Sequence, residues 1–138
     1  NQILDEMTDG WCTFMCDDNE FHPDIFVELK RTIDTNPNMG VFICSIVARH
    51  GRINTASKEC ILPFGIDAAQ TFIERKTLGD TRYNIFKFRE ADSKLVRDLY
   101  KKCPEKFIFS DKVLSYYEHI IRDEYGELID VKDGMIDA

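Results

Sequence analysis

The stretch 25-IFVELKRTIDTNPNMGVFICSIVA-48 holds two apolar segments on either side of a turn. In its first part Ile25, Val27, Leu29, Arg31 and Ile33 alternate with Phe26, Glu28, Lys30 and Thr32, mostly the period-2 pattern of a half-buried strand. Residues 34–40, DTNPNMG, carry turn chemistry: Asn-Pro initiates a turn, and Asn38 and Gly40 tolerate positive φ. Residues 41–48, VFICSIVA, form a nearly continuous β-branched and aromatic run, suited to a central strand buried on both faces. The expected unit is a β-hairpin.

Beyond this hairpin, CILPF (60–64) reads as a third strand ended by Pro63. Residues 66–78 predict a helix, with Asp67 as N-cap, Ile66, Ala69, Phe72 and Ile73 on one face, and Gly79 as the stop. DTRYNIFKF (80–88) leads back towards the sheet. Past residue 90, ADSKLVRDLYKKC (91–103) has Leu95, Leu99 and Cys103 at helical spacing, and 112–125 predicts a second amphipathic helix through Val113, Tyr116, Tyr117, Ile120 and Ile121. KFIFS between them reads as a short strand, and the acidic residues 126–138 as frayed. On the other side, residues 1–26 offer Trp11, Phe14 and Met15 to a core, within loop-like polar sequence. The expected class is α+β, a small antiparallel sheet packed by one helix with additional C-terminal helices. The expected divisions are an acidic extension (1–24), the sheet and helix (25–90) and a helical extension (91–138).

The 138 residues suit one domain, or one domain with a helical appendage. With 43% apolar and 12% aromatic residues the chain can build a core. No apolar run approaches the roughly 20 residues of a membrane span, so no membrane partner is expected. Beginning Asn1-Gln2 without an apolar leader, the chain reads as a piece of something longer. Five irregularly spaced cysteines suit a reduced interior, nuclear or cytosolic. The net charge of −7 lacks the general basic footprint of a nucleic-acid binder. Its distribution is uneven, however: −7 over residues 1–26, +3 over 27–90 and −3 over 91–138.

Cys12-x3-Cys16-x5-His22 brings three metal-ligand types together, but no second knuckle completes a zinc site. No glycine-rich phosphate loop, nucleophile turn or H-E-x-x-H motif is present, and no acid, base and oxyanion set assembles. Neither a cofactor, a metal nor a catalytic residue is therefore expected. There remains Arg49-His50-Gly51-Arg52 at the end of the central run. It is either a solvated strand end or, with glycine bringing both guanidinium forks to one edge, a place for a phosphate.

Arg49, Gly51, Arg52 and Ile53, then Ala68 and Phe72, then Thr81, Asn84 and Ile85-Phe86 resemble the WGR (Trp-Gly-Arg) domain of DNA-dependent poly(ADP-ribose) polymerases, over about residues 25–88. His50 stands in place of the motif tryptophan, and Asn54 where a glycine is usual. The resemblance implies a non-catalytic module of a nuclear ADP-ribosyltransferase that lies on DNA ends or nicks bearing a 5′-phosphate and contacts neighbouring domains. Arg52 would be the main backbone and interdomain contact, Arg49 an accessory cation and His50 a reduced stacking face. The implied nucleic-acid-binding set is Arg49, His50, Arg52, Asn54 and Lys58. A protein–protein interaction module on an α+β scaffold is the alternative, suggested by the net charge and the apolar helices expected after residue 90.

Overall fold

A computed structural model describes residues 2–15, 19–48, 52–62, 65–83, 91–117, 120–122 and 128–130. The fold is α+β. Helix α1 (Gln2–Glu6) is followed by strands β1 (Trp11–Cys12) and β2 (Asn19–Phe21), helix α2 (Ile25–Thr35), and strands β3 (Val41–Val47) and β4 (Ile53–Asn54). Strand β5 (Thr71–Glu74), helices α3 (Arg75–Leu78) and α4 (Ala91–Lys102), and strands β6 (Phe107–Tyr117), β7 (Ile120–Arg122) and β8 (Leu128–Asp130) complete the order.

The strand expected at 41–48 is β3, and all seven of its residues are buried. It is the centre of a sheet ordered β1-β5-β3-β6-β2, with β4 also on β3. Side chains alternate across it. Phe42 and Cys44 join Ile25 and Leu29 of α2 in one cluster, while Val41 and Ile43 join Leu95, Val96 and Leu99 of α4 in another. A strand with helices on both faces must be apolar on both faces. The sheet is mixed rather than antiparallel: β5 and β4 run antiparallel to β3, whereas β6 runs parallel to it, pairing Val41 with Phe107. Strands from 1–24 and from beyond 91 share this one sheet with β3.

Four expected elements differ. Residues 25–33 are not a strand but the body of α2, which buries Ile25, Leu29 and Thr32 and leaves Phe26 and Val27 68% and 67% exposed. The same residues satisfy both periods, since Ile25, Leu29 and Ile33 also fall at i, i+4 and i+8. Lys30–Asp34 and Arg31–Glu28 pairs on its outer surface favour the helix. The turn at Asn36-Pro37 therefore joins a helix to a strand, with Asn36 capping the Thr32 carbonyl through both its backbone and side-chain nitrogens.

Residues 66–78 are not one helix. Asp67 does cap, accepting from Ala69 N–H in a capping box with Gln70, but it caps only a 3₁₀ turn, Ala68–Gln70. Gln70 then donates to the Cys44 carbonyl at 2.9 Å, and Thr71-Phe72-Ile73 continue as β5. Nor are residues 112–117 helical; they extend the KFIFS strand into β6, whose Leu114, Ser115 and Tyr116 are buried. The apolar spacing matched a helix only because inner strand positions are apolar on both faces. Residues 118–119 lie outside the described residues, and the terminal segment expected to fray contributes β8, paired with β7. CILPF is likewise no strand: Lys58–Cys60 is a 3₁₀ turn, and Pro63 and Phe64 lie outside the described residues. The helix expected at 91–103 forms as α4.

Candidate functional site

The chain leaves β3 at Ala48, and Arg49, His50 and Gly51 lie outside the described residues. It returns at Arg52, whose carbonyl accepts from Ala48 N–H at 2.6 Å, and β4 pairs Ile53 with Val47 and Asn54 with Ile46. Ser45 anchors the segment after β4. Its buried hydroxyl accepts from Ala56 N–H at 2.9 Å and donates to the Ser110 carbonyl at 2.9 Å. One side chain thus ties this loop to both central strands.

Beyond Ala56 the chain folds back on itself. The Cys60 thiol donates to the Thr55 carbonyl at 3.2 Å, and Gly65 N–H donates to the Leu62 carbonyl at 3.0 Å. A Cβ at Gly65 would run into the Cys60 carbonyl, so only glycine permits this approach. The result is a cleft of about 410 Å³ between β4 and the returning loop, lined by Arg52, Asn54, Thr55, Glu59, Cys60 and Leu62 among others.

Of the five residues expected to contact nucleic acid, the structure brings Arg52 and Asn54 into this cleft. Lys58 is exposed on the neighbouring 3₁₀ turn without lining it, and Arg49 and His50 lie outside the described residues. Thr55, Glu59 and Leu62 were not anticipated. They lie in a polar stretch without periodicity, and only the fold-back through Ser45 and Gly65 brings them into one cleft with Arg52.

Arg52 stands apart from most of the described cations. Lys30 pairs with Asp34 at 2.7 Å, Arg31 and Lys112 with Glu28 at 2.9 and 2.8 Å, Arg82 with Asp5 at 2.8 Å and Lys94 with Asp98 at 2.7 Å. Arg75 is committed to the Leu4, Met7 and Gly79 carbonyls. Among the described residues neither Arg52 nor Lys58 has an ion-pair partner. In the same cleft, the Glu59 backbone N–H and then the Ser57 hydroxyl hold the Glu59 carboxyl below the usual carboxylate range.

Two larger clefts, about 510 and 490 Å³, flank Asp111 and Lys112 between α2 and β6. The arginine and lysine that line them are already paired. Glu28 takes both Lys112 and Arg31, and those hydrogen bonds, Lys112's the stronger, hold its carboxyl below the usual range. His22, in the second of these clefts, accepts the Asp24 N–H through Nδ1 at 3.0 Å.

Among the described cysteines, Cys12 and Cys44 behave as structural groups. Cys12 donates to the Ile73 carbonyl, and burial pushes the Cys44 thiol up to about 12; a thiol so protonated is a small hydrophobe rather than a nucleophile. Cys16 of the Cys12-Cys16-His22 grouping lies outside the described residues. In comparisons with known proteins, no protein-family model matches this chain, and no match is found among curated proteins.

Proposed function

We propose that this domain is a non-catalytic binding module that receives a phosphate-bearing nucleic-acid end at the Arg52–Asn54 cleft. One observation carries the reading: an exposed guanidinium without an ion-pair partner among the described residues, lining a cleft beside an amide that can donate to the same ligand. Such a fork is suited to bidentate phosphate contact, and Lys58 adds a second cation on the adjoining turn. The cleft, and not the order of elements, supports this reading, because the strand at 25–33 and the helix at 66–78 that a WGR-like arrangement needs are replaced by a helix and by a 3₁₀ turn with a strand. By the resemblance of residues 49–53, the parent protein would be a nuclear ADP-ribosyltransferase in which this module reports a break to a separate transferase domain.

The test is a fluorescence titration with a 5′-phosphorylated nicked duplex at two salt concentrations. Arg52→Ala is expected to weaken binding by roughly 10–100-fold, the value of about 1.5–3 kcal/mol for hydrogen bonds to a charged group, and to lower the salt slope by about one. Absence of binding at low salt to both phosphorylated and unphosphorylated duplexes overturns the proposal.

A second reading is favoured by Phe26 and Val27, adjacent and two-thirds exposed on the first turn of α2: a protein–protein contact through this helix. A partner that is retained after nuclease treatment, is indifferent to Arg52→Ala and is lost in a Phe26→Ser, Val27→Ser double variant would establish it in place of the first.

A further inference from the structure

The cleft holds more than a phosphate needs. Glu59 faces it together with Arg52, and Leu62 lines it while remaining 58% exposed. A carboxylate in a pocket for a bare phosphate is a repulsion that works against Arg52. Local hydrogen bonds hold the Glu59 carboxyl below the usual carboxylate range, and on that side the cleft offers an acceptor to a ligand's hydrogen-bond donors. The exposed leucine offers an apolar contact to a flat ligand face. A volume of about 410 Å³ lies within the range of small-molecule sites.

We propose that the cleft recognises an unpaired guanosine 5′-phosphate, with Glu59 accepting from the adjacent N1–H and N2–H of the base, Leu62 against the base face, and Arg52 on the phosphate. Guanine is the base whose Watson–Crick edge offers two neighbouring donors to one carboxylate. Adenine and cytosine each present a single amino group there, and thymine a single imide N–H. Recognition through that edge requires a base free of its complement, as in a single-stranded overhang. This specificity rests on the phosphate-binding reading above.

The experiment titrates the protein with four 5′-phosphorylated overhangs that differ only in a terminal G, A, C or T, with free guanosine 5′-monophosphate as competitor. The G overhang is expected to bind about tenfold or more tighter than the others. Glu59→Ala should abolish that preference while retaining phosphate-dependent binding, and Arg52→Ala should weaken all four together. Glu59 is exposed, so the variant should fold, and an unchanged melting temperature verifies it. Equal binding of the four overhangs, or a G preference that survives in Glu59→Ala, overturns the guanine assignment and leaves phosphate binding standing. Failure of all four to bind overturns the phosphate reading and the guanine assignment with it. Competition by the free nucleotide as effective as by the overhang would support the guanine contact and identify the source as a free nucleotide.

Discussion

Ser45 is a small residue with no solvent exposure that holds three segments together. Its hydroxyl links β3 to Ala56 and to Ser110. Ser45→Ala leaves the Ala56 N–H without its partner, and the cost expected is about 1–3 kcal/mol, read from denaturant midpoints. Because the loop bearing Glu59 hangs on that bond, the same variant should also weaken binding at the cleft. Gly40 is a second single-atom constraint: its N–H meets the Lys106 carbonyl, its own carbonyl takes Glu74 N–H, and an added Cβ would run into Thr77. Gly40→Ala should cost about 1–3 kcal/mol, and Thr77→Ala in the same chain should recover part of it, a coupling that a double-mutant cycle measures. Asp92 supplies a pH signature. Burial, and then the nearby Asp67 charge, raise its carboxyl above the ordinary 3.8. An acid raised in the folded state favours folding when protonated, so its contribution is present at low pH and is lost as pH rises through the folded value. Asp92→Asn keeps an acceptor for Ala68 N–H. It should melt higher than the wild type at neutral pH, and the difference should vanish as the pH is lowered towards 3.8.

Among the helices and strands, α2 gives the sharpest test, because the strand and helix readings assign opposite environments to Val27. In the helix Leu29 is buried and Val27 exposed. Leu29→Ala should cost about 2–5 kcal/mol, whereas Val27→Ala should stay within about 0.5 kcal/mol; equal losses would restore the strand. The ambiguity was built into the sequence, since Ile25, Leu29 and Ile33 fit both periods, and it is Val27, exposed in the helix, and Thr32, buried in it, that separate them. β3 was legible because seven consecutive buried residues leave no polar face for a helix, and α4 because Leu95 and Leu99 recur amid charge. β6 was not, since a strand buried on both faces loses its alternation. Its bulges add to this: from Ile43 to Ser45 of β3, the partner advances from Phe109 to Val113, displacing Ser110, Asp111 and Lys112 from regular register. Arg52 and Asn54 of the cleft were legible from their chemistry beside a glycine. Glu59 and Leu62 were not, because their place depends on hydrogen bonds made far along the chain.

In the domain as a unit, the acidic first segment is structural as well as electrostatic. It supplies β1 to β5, β2 to β6, and the fully buried Leu4 to the α4 side of the core. Removing residues 1–24 is therefore expected to abolish cooperative unfolding, observed by near-UV circular dichroism and a melting scan, instead of unmasking a basic surface. The parallel pairing at the centre has a consequence for how the chain is made. Val41 meets Phe107, sixty-six positions later. At about 5–20 residues per second of synthesis, the β6 edge of β3 spends roughly 3–13 seconds waiting before its parallel neighbour begins to exist. During that interval VFICSIV, seven residues without a charge, has the composition of a segment that pairs with copies of itself. Yield in cells should thus depend on translation speed between codons 47 and 107 and on chaperones that hold nascent strands, even where the finished domain is stable.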